Sequence, residues 1–516
     1  MKKLLLLLVI FSMTMTLAFA GGGRQQTTAS NAVTVEIFDR GTDGGRSLAY
    51  DNAWTNWIKQ KVKADLNLDL TFIPVGRWTE DTDIINLLAS GSAPDLCYSY
   101  NLTMINNFRD QGGILDVAPY VDSHLGDLKK LLGDDPVFPG KDFIARDGDQ
   151  QTGRIYSIPS YRVSLAERGM FIRKDWLDRL GLAMPTNINQ FHDALIAFRD
   201  RDPGGVGNRI VPYGQNFDAR WGLADLMHHH VSTNMSERDR WVNLIHERWL
   251  LYPGYKDGVR VMNQWYNERL IYQDFPLMTT TDDFYNQMKS GVVGAFSQNW
   301  DLPYRQDYKI NEELAINVPG AEFVPVDLNL NNKGMFDKVG LRIFIPSQAK
   351  NREGALKYLN WLAIPENYHF LQVGQEGVNH TIVNGVPNTI GRPAGDPWFM
   401  NSGNNIDYTM PMNGVEMGDQ ELNSRILALS YGNVPADRVV SAYAISVRNA
   451  RPPVVRQITT NVNQYTTILQ DKHQALLAQT IAGRPADFDR VWDAGIVDFL
   501  ASGGQAVLNE RASLWR

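Results

Sequence analysis

VTVEIF at residues 33–38, LDLTFIPV at 68–75 and PDLCYSY at 94–100 are three short apolar runs rich in β-branched and aromatic residues, the pattern of strands. Between the first two, residues 54–66 put Trp54, Trp57, Ile58 and Val62 at helical spacing. Between the second and third, WTEDTDIINLLASGS at 78–92 reads as a helix that ends at Gly91. An order of strand, helix, strand, helix, strand implies parallel pairing with helical crossovers, so the fold class is α/β.

The same logic recurs further along. GMFIRKDWLDRLGLAMPTNINQFHDALIAFRDRDP at 169–203 runs from a strand into a helix, stops at Gly181, passes Pro185-Thr186 and starts a second helix near 187–189. VGLRIFIPSQAKNREGALKYLNWLAIPENYHFL at 339–371 repeats the pattern, with Asn351 placed to cap a helix N-terminus. From about Tyr431 onward the chain reads as largely helical. A length of 516 residues exceeds what one hydrophobic core holds together, so two lobes are expected.

Residues 1–20, MKKLLLLLVIFSMTMTLAFA, combine two lysines, an apolar run and a small-x-small ending, the pattern of a secretory signal peptide. GGGRQQTTASN at 21–31 reads as a flexible linker to about residue 32. No later run reaches the ~18 consecutive apolar residues of a membrane span. The net charge of −7 argues against a nucleic-acid partner. Cys97 is the single cysteine, so no intramolecular disulfide can form and the core must hold the exported chain.

IYSIPSYR at 155–162 begins like a buried strand but contains Pro159 and ends in Tyr161 and Arg162. Together with LLASGSAPDLCYS (87–99), GGILDVAPYVD (112–122), FIRKDWLDRLGLAMPTN (171–187), SGVVGAF (290–296), KYLNWLAIPENY (357–368) and GQEGVNH (374–380), it resembles, in order, the extracellular solute-binding proteins of family 1. The likeness is to the large oligosaccharide-binding subgroup that serves ABC importers. It implies a two-lobed periplasmic-binding-protein type II fold with an interlobe cleft and hinge strands. The expected N-terminal lobe is 33–160 plus 343–400, and the C-terminal lobe 161–342 plus 401–516. The resemblance places 155–162 at the first crossing between lobes, where Pro159 need not donate a ladder bond and Tyr161 and Arg162 would point at the cleft.

Sugars present C–H faces that stack on aromatics and hydroxyls that bond to Arg, amide and carboxylate groups. Aromatic–polar pairs at strand ends are therefore the candidate ligand contacts. These are Asp39-Arg40 after the first strand, Tyr98, Tyr100 and Asn101 after DLC, and Trp300-Asp301 after GVVGA. Trp221 in FDARWGLAD is a further candidate. The resemblance puts a ligand-facing aromatic at or near Tyr98. Trp300 is read as a stacking platform and Asp301 as a hydroxyl acceptor. Trp54, Trp57, Trp361 and Trp492, at helical spacing, are read as core.

Two departures from the family pattern carry consequences. Many relatives have a lipid-anchored Cys where this chain has Gly21, so a free periplasmic or secreted form is expected. Relatives carry a calcium loop of the type DPNGNGKKDEIPYG where this chain has RDPGGVGNRIVPYG at 201–214. Gly204 and Val206 replace oxygen donors, and calcium needs ~6–8 oxygens, so only a turn is expected there. No metal or cofactor is expected. His228-His229-His230 cannot converge on one ion from a regular helix and reads as a surface or cleft-lining cluster. HERWL at 246–250 lacks the second His of a zincin, Gly205-Val206-Gly207 lacks the third Gly of a dinucleotide loop, and no phosphate-loop motif of an ATPase is present.

The reading is a non-catalytic, monomeric binding protein that delivers oligosaccharides to ABC permease subunits. Two others compete. A non-sugar solute such as a peptide or polyol could occupy the same scaffold. A secreted glycoside hydrolase would need two facing carboxylates, for which Asp301 and Glu376 are the candidates.

Overall fold

The computed structural model describes residues 31–40, 48–77, 79–132, 153–245, 249–278, 280–305, 308–390, 396–398, 407–414, 418–431, 434–454 and 459–515. The signal segment, most of the linker and the GTDGG loop after Arg40 lie outside the described residues. The strands are, in chain order, β1 (Ala32–Asp39), β2 (Asp69–Gly76), β3 (Cys97–Ser99), β4 (Ile158–Arg162), β5 (Arg168–Arg173), β6 (Val211–Tyr213), β7 (Val293–Asn299), β8 (Phe323–Pro325), β9 (Lys333–Gly334), β10 (Val339–Phe344), β11 (His380–Val383), β12 (Val386–Thr389), β13 (Met412–Asn413) and β14 (Ala450–Arg451).

The N-terminal lobe is built on two joined ladders. β1 and β2 pair in parallel from Ala32↔Asp69 to Asp39↔Gly76. A parallel bridge from Val35 to Leu96 attaches them to β3, and the order continues β3, β10, β4, β13. The C-terminal lobe has the order β6, β7, β5, β8. Each sheet is α/β as expected but mixed in direction, and one rule explains which strands are reversed. β10, which brings the chain back from the C-terminal lobe, is antiparallel to β3 and β4. β5, which brings it in from the N-terminal lobe, is antiparallel to β7 and β8. A strand entering a lobe points away from the other lobe, so the strands antiparallel to it end facing the other lobe. The carboxyl ends of β1, β2, β3, β4 and β7 all meet the space between lobes.

Side-chain alternation then fills the cores. On β5, Met170 and Ile172 join Trp176, Phe191, Phe198 and Trp265 on one face, while Phe171 joins Phe284, Phe296 and Phe323 on the other. In the N-terminal lobe Val33, Val35 and Ile37 pack with Ile58, Leu359 and Trp361. Trp54, Trp361 and Trp492 are buried as expected and Trp57 is half-buried. The helix Ala53–Leu66 starts in a capping box of Asn52 and Thr55, and Asn351 caps Arg352–Leu362 through the Gly354 N–H. The helices Thr460–Ile481, Phe488–Phe499 and Gln505–Leu514 pack on the C-terminal lobe through Leu469, Leu477, Trp492 and Val507.

The chain first crosses between lobes at residues 163–167 and returns at 335–338, and these segments run side by side: Ala166 bridges Met335, and the Phe336 N–H donates to the Leu165 carbonyl at 3.0 Å. The boundary expected at 342/343 falls inside β10, whose pairing with β4 begins at Val339. The boundary expected at 400/401 also moves. Tyr408 and Met410 pack in the N-terminal core and β13 pairs with β4, so the N-terminal lobe runs to Asn413. Pro159 sits on β4 before the point, Tyr161, at which the two-residue β13 begins to pair, so its missing N–H interrupts nothing on that side.

Candidate functional site

β1 ends in Asp39 and Arg40, and Arg40 forks onto Asp407, with Nε–Oδ2 at 2.7 Å and Nη2–Oδ1 at 2.8 Å. Burial works against this guanidinium's charge, but Asp407 outweighs it and raises its pKa. Arg305, from the C-terminal lobe, opposes Arg40 electrostatically, so the lobes are close enough here to share a field. The Asp39 carbonyl accepts the Arg77 N–H at 2.8 Å, which locks the end of β1 to the end of β2.

β3 delivers Tyr98 and then Tyr100, and the structure separates their roles. Tyr98 is fully buried, edge-on to Phe38 at 4.6 Å, and its hydroxyl accepts the Phe38 N–H at 3.0 Å. It is a core residue that holds β3 against β1, so the aromatic left less buried at this strand end is Tyr100. The Tyr100 ring is half-buried and stacked near Phe38, with centroids 6.3 Å apart and planes 14° apart. The Arg77 guanidinium lies 4.7 Å from its centroid and the Arg162 guanidinium 5.9 Å. Asn101 is committed to structure: its Oδ1 caps a helix through the Met104 N–H at 2.9 Å and its Nδ2 donates to Asp81 at 2.8 Å. Tyr161 is half-buried against Val163, Tyr368 and Met412.

Arg162 ends β4. Its guanidinium lies 4.2 Å from the Phe336 ring centroid, a cation–π contact with the second crossing segment. Burial lowers its pKa, Tyr100, Asp337 and Glu167 act the other way, and Arg77 adds to the lowering. Arg162 and Phe336 thus tie the end of β4 to the second crossing segment.

In the C-terminal lobe Trp221 sits on the short helix Ala219–Gly222, capped by Asp218. Its indole N–H donates to Gln298 Oε1, near the end of β7. The Arg168 guanidinium lies 5.0 Å from the Trp221 ring and is buried, paired with Asp225 at 2.9 Å and with Glu167. Asp225 also accepts the Gly334 N–H at 3.1 Å. Trp221 is therefore a half-buried ring fixed at its edge by an amide and over one face by a guanidinium.

Trp300 is placed otherwise. It is 5% exposed and edge-on to Tyr443 at 5.2 Å, so the structure puts it in the C-terminal core rather than at a stacking surface. Asp301 is half-buried and accepts the Tyr431 hydroxyl at 2.6 Å. Glu376 is exposed and bridges to His380. Among the described residues no three His, Cys, Asp or Glu side chains are placed to hold a metal ion. Asp202 instead accepts the Val206 and Gly207 N–H groups at 3.0 and 2.8 Å, closing the turn. His228 is buried and stacked on Trp249 at 4.0 Å, which corrects the expectation of a surface or cleft-lining cluster at that position.

Of the candidate residues, Arg40, Tyr100 and Arg162 thus lie in one lobe and Trp221 in the other. Arg77, Arg168, Gln298 and Asp407 were missed. Arg77 follows directly on β2 and carries the same strand-end signal as Arg40. Asp407 stands in no pattern, because its partner is most of the chain away.

Comparison with known proteins matches residues 47–368 to the model of the bacterial extracellular solute-binding protein family. The fructooligosaccharide ABC transporter substrate-binding protein FusA of Streptococcus pneumoniae is 26% identical over 205 residues, 36% of either chain. Its structure with kestose superposes with a TM-score of 0.66 at 14% identity, covering 93% of this chain and 98% of that one. The polygalacturonan/rhamnogalacturonan-binding protein YtcQ of Bacillus subtilis is 25% identical over 44% of this chain and 43% of its own length. The sequence matches to these two curated relatives thus span less than half of their lengths. An HMO-binding solute-binding protein of Bifidobacterium longum infantis superposes with a TM-score of 0.64 at 18% identity, over 94% of this chain and 98% of that one. With the two-lobed fold and more than half of its length matched by the family model, the chain belongs to the bacterial extracellular solute-binding proteins.

Proposed function

We propose that this chain is the extracytoplasmic substrate-binding component of an ABC importer. It captures an oligosaccharide between its lobes as a monomer and passes it to the permease without chemical change. Family membership and relatives named for glycan binding support this reading. The observation that carries it is an aromatic–guanidinium arrangement in each lobe: Tyr100 with Arg77 and Arg162 in one, and Trp221 with Arg168 in the other. A sugar ring stacks on such an aromatic face while its hydroxyls bond at the rim. Rotation about residues 163–167 and 335–338 would bring the two surfaces onto opposite sides of one ligand. No described helix is long and apolar enough to cross a membrane; residues 1–20, which read as a signal peptide, and Gly21 in place of a lipid-anchored Cys support a free form outside the cytoplasm.

A thermal-shift screen of residues 21–516 against neutral, uronate and amino-sugar oligosaccharides tests the reading. Ligand at ~100 times its dissociation constant adds about 2.7 kcal/mol of stability. A dose-dependent shift with one glycan class is expected. Shifts only with peptides or polyols would transfer the site to a non-sugar solute, and release of shorter sugars would restore the hydrolase reading.

A further inference from the structure

Three arginines stand at or just past the carboxyl ends of β1, β2 and β4 in the N-terminal lobe, and two are neutralised. Arg40 pairs with Asp407, and Arg77 pairs with Glu80 at 2.5 Å. Arg162 is not matched. Among the described residues no carboxylate is in ion-pair contact with it, and its buried Nε has no hydrogen-bond partner. Glu167, one of the two acids that act on it electrostatically, is held by Arg168. Among the described residues the rings of Phe336 and Tyr100 lie over its guanidinium, and Asp337 acts on it electrostatically without ion-pair contact. Rings soften the cost of a half-buried guanidinium but supply no acceptor, and a desolvated charge without a counter-charge is costly.

We propose that Arg162, over the Phe336 ring and near the Tyr100 ring that Arg77 also contacts, is the subsite for a ligand carboxylate, so that the cargo is an oligosaccharide carrying uronic acid. The inference rests on the oligosaccharide-binding reading above and narrows it. A neutral sugar offers Arg162 single hydroxyl dipoles. A uronate offers a full charge and two coplanar oxygens that match the guanidinium fork, the stronger form of hydrogen bond. The carboxylate is also rigidly attached to the ring, so seating it at Arg162 fixes the sugar beside the Tyr100 face.

The test is calorimetric titration of the full mature chain with trimers of galacturonate, glucuronate, mannuronate and guluronate. Each is paired with its carboxyl-reduced trimer, and a sulfated neutral trimer is added. At least one uronate is expected to bind about 10-fold or more tightly than its reduced partner. In Arg162→Gln that ratio should fall to about 1, and in Arg162→Lys it should be intermediate, because a point charge replaces the fork. Circular dichroism and the Tm of the free variants show that they fold. Reduced trimers that bind as well as uronates would overturn the carboxylate subsite while leaving the sugar reading intact. So would a sulfated trimer that outcompetes every uronate, or an Arg162→Gln variant that weakens both members of a pair equally. Failure of every glycan to bind would overturn both.

Discussion

Glu36 lies on β1 with its side chain in the N-terminal core, 1% exposed. Its Oε2 accepts the Tyr98 N–H at 3.0 Å, and the Cys97 thiol lies beside it. Burial raises this carboxyl well above its ordinary 4.5, and Glu80 and Asp407 push the same way. The folded chain therefore holds this proton more tightly than the unfolded chain. The resulting stability is complete below the unfolded pKa and is lost as pH rises through the folded one. Glu36→Gln, which fixes the neutral form, is expected to stabilise the protein near pH 8 and to match the parent near pH 4. Urea unfolding at the two pH values reads this directly, and an equal change at both would show that packing rather than protonation decides. The tyrosines beside Glu36 show what a sequence hides at this scale. Tyr98 and Tyr100 are both strand-end aromatics, and only depth separates them: Tyr98 lies inside a three-residue strand and Tyr100 just beyond its end. Trp300 also follows a strand, yet Tyr443, from a helix far along the chain, closes over it.

At the level of elements, strand and helix positions were legible because local periodicity and caps determine them. The start of a helix after Asn187 and the stop at Gly181 are examples. Strand direction was not, since it depends on which lobe the chain has just left. The second crossing shows how tightly these segments are fitted. A Cβ on Gly334, at the end of β9, would lie 2.0 Å from Arg168 Nη2 and 2.2 Å from Glu167 Oε2. Gly334→Ala should therefore push Arg168 off its partners. Breaking a buried ion pair costs about 3–5 kcal/mol, which sets the upper bound. Denaturant unfolding is expected to show a loss of more than ~1 kcal/mol, with weaker glycan binding through the displaced Trp221. A variant as stable as the parent would mean that Arg168 has another way to lie.

For the molecule as a whole, a ligand held from both sides must draw the lobes together. Small-angle scattering is expected to show a smaller radius of gyration in whichever glycan gives the thermal shift. An unchanged radius at saturation would mean that one lobe binds alone. The two-lobe organisation was legible from length and resemblance, but the return of the chain to the first lobe at Tyr408–Asn413 was not, because it is made by a few residues with no periodic signal. That late return has a consequence for biogenesis. The first lobe is missing β10 and β13 until the entire β5–β8 sheet has been synthesised, so its sheet cannot close until most of the chain has been made. Pairings this distant in sequence form slowly. For a chain that is to be exported such a delay is useful, since a translocation channel threads extended polypeptide, and the order of strands itself keeps the first lobe's sheet open until late in synthesis.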